Sequence, residues 1–128
     1  AVAAVHAGWR GSVVNIVGRT VAAMRERYGS DPASMSAFIS PSLGPCCAEF
    51  IHYRTELPED FHPYQVRPGY FDFWGITRDQ LAAAGLDRKH IRTSDTCTSC
   101  SRRHFSYRRS RRCGAGVTGR QGALIVIR

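Results

Sequence analysis

Cysteines and a histidine near the C-terminal end of the chain are spaced as metal ligands can be. Cys97 and Cys100 lie three positions apart, and His104 and Cys113 follow them. Two thiolates at this spacing can bind one tetrahedral metal ion, which a histidine and a more distant cysteine can complete. The numbers of residues between Cys100 and His104 and between His104 and Cys113 match no common zinc knuckle. One interpretation is nevertheless a small zinc module that binds nucleic acid through the neighbouring arginines.

Two further positions could carry chemistry. His6 follows a short apolar run and precedes a glycine-containing turn, where an imidazole can project into a cleft as a metal ligand or general base. A lone histidine near an apolar face is more often a hydrogen-bonded core residue. Cys46 and Cys47 follow Pro45, and a thiol beside a helix N-terminus is acidified by the partial positive charge there. Packing in a tight turn is the stronger interpretation of these two cysteines.

The excess positive charge lies in the last quarter of the chain. The net charge is +8, and residues 96–128 hold eight arginines and no acidic residue. A guanidinium group offers a rigid fork of donors that suits phosphate and carboxylate oxygens, so an anionic ligand is expected. In a strand, one of Arg108 and Arg109 would face inward toward such an anion. Phe105 and Tyr107 are the aromatic residues near the basic run, which makes a thin stacking surface for nucleic acid.

The hydrophobic pattern predicts the elements that must position these side chains. It predicts strands at residues 1–5, 35–40, 104–107 and 122–127, helices at 13–28 and 72–84, and a short helical segment from Pro45. Ser12 is the expected N-cap of the first helix, and Gly29 and Gly85 are the expected ends of the two helices. The predicted fold class is α/β (mixed α+β), a mixed β-sheet sandwich flanked by helices. A first strand without an upstream neighbour predicts an incomplete sheet.

Composition excludes several classes of protein. A chain of 128 residues suits one domain, and 43% hydrophobic with 22% charged residues is typical of globular proteins. No apolar run approaches the roughly 20 residues of a membrane-spanning helix, and the first residues lack the pattern of a signal peptide. Five cysteines, an odd number, make a poor disulfide framework. These observations predict a cytoplasmic protein with free thiols.

Several motifs in order resemble the laccase-domain family, whose members have been described as polyphenol oxidases, purine nucleoside phosphorylases and peptidoglycan editing factors. The motifs cover nearly all of the chain. They are Ala-Val-His-Ala-Gly-Trp-Arg-Gly at residues 4–11, Pro-Ser-Leu-Gly-Pro-Cys-Cys-x-Glu at 41–49, Asp-x5-Arg-x-Gln-Leu at 72–81, Asp-x-Cys-Thr at 95–98, Phe-Ser-Tyr-Arg-Arg at 105–109 and Thr-Gly-Arg at 118–120. His104 departs from the family, which usually has an aromatic residue at that position.

The resemblance implies that residues 1–128 form a single domain equivalent to the C-terminal half of a longer protein. The family's zinc site uses a histidine and a cysteine from the first half and then the histidine of the motif that contains His6. Three protein ligands with an open position are typical of a catalytic zinc. The resemblance therefore implies that His6 is a metal ligand, and it assigns no other ligand in this chain. Copper is harder to support, since one histidine and scattered cysteines supply no multicopper centre.

By resemblance, the function is that of a zinc-dependent purine nucleoside phosphorylase acting on adenosine, inosine and guanosine. Adenosine deamination and methylthioadenosine phosphorolysis remain open as further activities. Arg10, Arg108 and Arg109 are the expected substrate- and phosphate-binding residues, while no catalytic acid, base or nucleophile is assigned. The expected partners are a purine nucleoside and phosphate, without a membrane or specific nucleic acid, and a homo-oligomer remains open. The alternatives are the zinc module, a hydrolase that edits peptidoglycan precursors, and an inactive scaffold piece.

Overall fold

The computed structural model describes residues 1–114 and 116–127 as short helices and strands. The helices are α1 (Trp9–Val13), α2 (Ile16–Tyr28), α3 (Tyr53–Glu56), α4 (Phe73–Ala83) and α5 (Tyr107–Arg112). The strands are β1 (Ala37–Ile39), β2 (Gln65–Arg67), β3 (Tyr70–Phe71) and β4 (Ile91–Thr93), and 3₁₀-helices lie at Pro32–Ser34, Glu59–Tyr64 and Arg88–His90. β1 pairs with β4, and β2 pairs antiparallel with β3. The predicted mixed α/β class, with small sheets flanked by helices, is confirmed.

One compact unit consists of Ala1–Phe38, Gly75–Arg92 and the C-terminal residues from Ala123. Val17 and Val21 of α2 are buried one helical turn apart, as are Thr77 and Leu81 on the part of α4 in this unit, where Ile76 is also buried. Residues at this spacing lie on one face of a helix, so both helices bury one face. Gln80 Nε2 also donates to the carbonyl of Ser12 over 2.7 Å, which holds α4 to α1.

The predicted helix at residues 13–28 is present, but it begins later than Ser12. Asn15 has a left-handed backbone (φ 50°, ψ 52°), and its Oδ1 accepts the N–H of Gly18 over 3.1 Å. This cap separates α1 from α2, because the left-handed residue interrupts the helical path. Gly29 ends α2 with φ 61°, as the sequence predicts.

The second compact unit consists of Ile39–Trp74 and Thr93–Gly122. Its core is aromatic. Phe71 is fully buried, and the ring of Phe50 lies 6.3 Å from Phe71 and 5.2 Å from Phe73. Edge-to-face and tilted pairs at these distances are favourable beyond the area that they bury. Gly69 supplies the positive φ of 78° in the turn between β2 and β3, and its carbonyl accepts the N–H of Phe50 over 2.7 Å.

Three predicted strands are wrong. Residues 1–5 and 122–127 are exposed and have no regular secondary structure, since the strands that the structure describes do not pair with them. At residues 104–107 the backbone turns into α5, because the Ser106 side chain accepts the N–H of Arg109 over 3.2 Å and caps the helix. Arg108 and Arg109 therefore lie on a helix, where neighbouring side chains do not alternate between two faces.

Pro45 to Cys47 form one turn rather than a helical segment. The carbonyl of Gly44 accepts the N–H groups of Cys47 over 2.9 Å and of Ala48 over 3.0 Å, and the chain then continues as an irregular segment. Without a further helical turn, the macrodipole that would acidify a thiol at this position is missing. Among the helices described, none is both long enough and apolar enough to cross a membrane.

Candidate functional site

The predicted metal ligand His6 lies at an open hollow of about 420 Å³. The hollow is lined by His6, Gly8, Trp9, Arg10, Gly11 and Ile16. His6 is exposed, and its Nε2 lies 3.4 Å from where a Cβ on Gly8 would be. A Cβ at position 8 would thus meet the imidazole at the limit of ordinary van der Waals contact. Within the described part of the chain, the side chains that lie close enough together to hold a metal ion do not include His6. Its metal-binding role therefore stays a prediction.

Arg10 borders the same hollow. Its guanidinium lies 5.0 Å from the centre of the Trp9 ring, within the range of a cation–π contact. This contact restrains the guanidinium group beside the indole. Arg10 is exposed, so an anion in the hollow could reach its N–H donors. The structure thus brings His6 and Arg10 to one hollow, in agreement with their order in the sequence motif.

Arg109 donates hydrogen bonds to backbone carbonyls of the loop that precedes α5. Its Nη1 reaches the carbonyls of Thr98 (2.6 Å), Ser99 (3.2 Å) and Ser101 (2.8 Å), and its Nη2 reaches that of His104. Arg108 Nη2 donates to the carbonyl of Glu49 over 2.9 Å. Both guanidinium groups therefore fix backbone within the second unit. Whether either also contacts a phosphate stays a prediction.

Four cysteine thiols meet in the second unit, at the point where two loops lie side by side. Cys46 and Cys47 come from one turn, and Cys97 and Cys100 come from another. Their Sγ atoms all lie within 4.8 Å of one another. The Sγ of Cys100 is 3.6 Å from that of Cys46 and 3.5 Å from that of Cys47. We refer to these four residues as the four-cysteine cluster.

Backbone pairing between the loops brings the cluster together. Ser42 and Cys97 form an isolated parallel bridge, in which the N–H of Ser42 donates to Thr96 and the N–H of Thr98 donates to Ser42. Gly44 allows the close approach, since a Cβ there would lie 2.9 Å from Cys97 Cβ and 2.8 Å from Trp74 Cη2. Both distances are shorter than real Cβ contacts.

The thiols of the cluster differ in their electrostatic environment. Burial would raise the pKa of Cys97, but N–H groups of Gly44, Cys100 and Ser99 donate to its sulfur and lower the pKa to about 7. Burial, followed by hydrogen bonds with the neighbouring thiols, raises the pKa of Cys46 well above its usual range. Backbone donors aimed at a sulfur favour the thiolate, which is the form that binds metals and reacts as a nucleophile.

The cluster differs from the set of residues that the spacing indicates. Cys97 and Cys100 belong to it, whereas His104 and Cys113 do not. His104 Nδ1 instead lies 2.9 Å from Ser101 Oγ, and Cys113 is exposed at the end of α5. Cys46 and Cys47 take their places, although packing is the role that the sequence favours for them. Two adjacent cysteines at a Gly-Pro turn and a separate Cys-x2-Cys were the available signal, but their pairing across the chain is not visible in the spacing.

Comparison with known proteins gives the family. Residues 1–128 match the family described as multi-copper polyphenol oxidoreductase laccase. The purine nucleoside phosphorylase YlmD of Geobacillus stearothermophilus is 38% identical over an alignment that covers 94% of this chain and 46% of that protein. A purine nucleoside phosphorylase of Xylella fastidiosa is 36% identical, with coverage of 89% and 46%. The chain spans about half the length of these curated relatives.

Solved structures agree with the sequence comparison. The crystal structure of the hypothetical protein YfiH of Bacillus licheniformis superimposes with a TM-score of 0.71 at 31% identity, covering 83% of this chain and 43% of that one. The crystal structure of YlmD from Geobacillus stearothermophilus gives a TM-score of 0.68 at 36% identity, with the same coverage. Sequence and fold are thus similar along most of the chain, which belongs to the multi-copper polyphenol oxidoreductase laccase family.

Proposed function

We propose that this chain is part of a zinc-dependent purine nucleoside phosphorylase. The observation that carries the proposal is the similarity of nearly the whole chain to a protein named a purine nucleoside phosphorylase. The hollow at His6 and Arg10 supports it, because one exposed imidazole and one stacked guanidinium lie together there. The relatives extend well beyond the matched region, so the remaining parts of the site are expected in sequence that this chain does not contain.

His6 fits a metal ligand in its chemistry. Its ring is exposed at the hollow, and imidazole is a common ligand of zinc. When bound, zinc would supply a Lewis acid that polarises the substrate or lowers the pKa of a water molecule. One imidazole cannot hold the ion by itself, since affinity and geometry both depend on the number of ligands. Two further ligands from outside residues 1–128 complete the proposed site.

Arg10 is the proposed phosphate-binding residue. Phosphorolysis joins phosphate to the ribose carbon as the bond to the purine nitrogen breaks, and the ribose acquires oxocarbenium character in between. A guanidinium held at the hollow can position the phosphate and keep its charge in place. Stacking on Trp9 restricts the Arg10 side chain, which reduces the freedom lost when the anion binds. Under this proposal, Arg108 and Arg109 contribute indirectly, through the loops that they hold.

The proposal is tested by assaying the protein at its natural length with inosine, adenosine and guanosine. Release of the purine base should require phosphate and yield ribose 1-phosphate. His6→Ala should lower kcat/KM at least about a hundredfold, since loss of a metal ligand exceeds the effect of losing an outer-shell partner. His52→Ala, an exposed histidine in the second unit, is the matched control and should leave the rate unchanged.

Arg10→Ala should raise the KM for phosphate more than the KM for the nucleoside. Arg27→Ala, an exposed arginine on α2, is its control. Base release that proceeds equally well without phosphate would identify a hydrolase instead. Ammonia release from adenosine would identify the deaminase activity, and methylthioadenosine can be tested in the same assay. An unchanged rate in His6→Ala would remove His6 from the site.

A further inference from the structure

We propose that Cys46, Cys47, Cys97 and Cys100 bind one zinc ion in a closed structural site, separate from the ligand position at His6. The cluster lies wholly within the second unit, whereas His6 belongs to the first. Neither the reaction proposed above nor the expected three-ligand zinc site uses these thiols. The inference thus stands apart from the proposed function.

The spacing of the sulfur atoms suits one tetrahedral ion. Zinc–thiolate bonds are about 2.3 Å long, so the sulfur atoms of a tetrahedral site with four thiolates lie about 3.8 Å apart. The two pairs measured at Cys100 are 3.5 and 3.6 Å, and no pair in the cluster exceeds 4.8 Å. An iron–sulfur cluster interposes several atoms between its thiolates and would hold them further apart. A mononuclear site therefore fits the geometry best.

The donor set indicates the class of metal and its role. Four thiolates are soft ligands that select zinc over calcium, magnesium or manganese. A set of four cysteines also fills all four tetrahedral positions, which leaves none for water or substrate and makes the site structural rather than catalytic. Binding releases the protons of the thiols to solvent, and no electron is transferred.

Two arginines offset the charge that such a site carries. A divalent ion with four thiolates has a net charge of −2. Arg67 Nη2 donates to the carbonyl of Cys46 over 3.0 Å, and Arg109 donates to carbonyls on the Cys97–Cys100 turn and just beyond it. Each of the two ligand loops is therefore held by one guanidinium. Outer-shell partners of this kind orient metal ligands and tune their affinity.

The loops also provide a route for the ion and hold the ligands in place. Cys46 and Cys100 are exposed, while Cys47 and Cys97 are buried. An ion can thus enter from solvent at the exposed pair and complete its coordination at the buried pair. The N–H of Gly44 donates to the Cys97 sulfur over 3.3 Å, which holds that ligand independently of the metal.

The test begins with the unaltered protein, purified without a histidine tag under reducing conditions. Elemental analysis should find about one zinc per chain attributable to this site. Replacement by Co²⁺ should give the intense visible bands and the thiolate-to-cobalt charge-transfer bands of tetrahedral cobalt with sulfur ligands. A protein that takes up no cobalt in this form would overturn the proposal without any variant. A mass lower by two hydrogens after the reductant is removed, from a disulfide in the cluster, would identify a redox pair instead.

Variants then assign the ligands. Cys100→Ser and Cys47→Ser should abolish the thiolate-to-cobalt bands of the four-thiolate site, leaving only the weaker band of the single cysteine expected in the site at His6, and reduce zinc retention at least about tenfold against a chelator. Cys113→Ser, which removes an exposed thiol outside the cluster, should leave both unchanged. His6→Ala should leave the cobalt bands of the four-thiolate site intact. Loss of activity in His6→Ala with these bands retained separates the two proposals, and loss of the bands in Cys113→Ser would contradict this one.

Discussion

Adding one methyl group at Gly44 should destabilise the second unit. The Cβ of an alanine would lie 2.8 Å from Cη2 and 3.1 Å from Cζ2 of Trp74, and 2.9 Å from the Cβ of Cys97. The Trp74 ring cannot easily move aside, because its Nε1 donates to Ser42 Oγ over 2.7 Å. Overpacking a well-packed site by one carbon costs about 1–3 kcal/mol. Gly44→Ala should therefore lower the free energy of unfolding by about that amount relative to a glycine-to-alanine change that meets no neighbour.

The matched control is Gly122→Ala, where no atom lies within 4 Å of the added Cβ. Replacing glycine by alanine also stabilises a protein by about 0.4–1 kcal/mol through the unfolded chain, and this contribution is common to both variants. The difference between them therefore isolates the steric contribution. Urea unfolding followed by tryptophan fluorescence and by circular dichroism measures it. Equal stabilities within about 0.5 kcal/mol would refute the close packing of Gly44.

A double-mutant cycle tests which atoms collide. Trp74→Phe removes the six-membered part of the indole, which holds Cη2 and Cζ2, together with the hydrogen bond to Ser42. The lost hydrogen bond costs the same whether residue 44 is glycine or alanine, so its contribution cancels in the cycle. Gly44→Ala should therefore cost less in the Trp74→Phe background, with a coupling of at least about 0.5 kcal/mol. Additive effects would show that the ring is not the obstacle.

Two further predictions concern Arg109 and the length of the chain. Arg109→Lys should lower the free energy of unfolding by about 1–3 kcal/mol, because an ammonium group cannot reach the four carbonyls that the guanidinium fork contacts. Arg102→Lys, an exposed neighbour, should change it by less than about 0.5 kcal/mol in the same urea titration. The 128-residue chain alone should not phosphorolyse inosine after zinc loading, since His6 is the one ligand that it contributes to the proposed catalytic site. Turnover at the rate of the longer protein would place that site wholly within these residues.

The sequence predicted the helices better than the strands, for a physical reason. Both α2 and α4 depend on local apolar spacing and on Gly29 and Gly85 at their ends, all of which can be read along the chain. A strand depends on a partner elsewhere, so an apolar run such as residues 122–127 does not determine its own conformation. Residues 104–107 failed differently, because a local cap at Ser106 competed with the strand and won.

The candidate sites show the same difference between local contacts, which the sequence could predict, and contacts between distant segments, which it could not. The hollow at His6 and Arg10 is formed by neighbours in sequence, so one motif was enough to indicate it. The four-cysteine cluster is formed by two turns joined through the bridge between Ser42 and Cys97. Cys100 was a candidate ligand in the alternative zinc module alone, and its contacts with Cys46 and Cys47 depend on that bridge. The structural roles of Arg108 and Arg109 were likewise hidden, since their acceptors are carbonyls that any residue type could supply.

The separation of the cysteines along the chain has a consequence for the order of events during synthesis. Cys46 and Cys47 precede Cys100 by 54 and 53 residues. At a translation rate of about 5–20 residues per second, the first pair emerges roughly 3–10 s before its partner. During that interval the two thiols are neighbours in an unfinished chain, without the second turn that the Ser42–Cys97 bridge joins to theirs. An oxidant or metal that arrives early therefore meets a pair of thiols, and only a chain synthesised past Cys100 offers four.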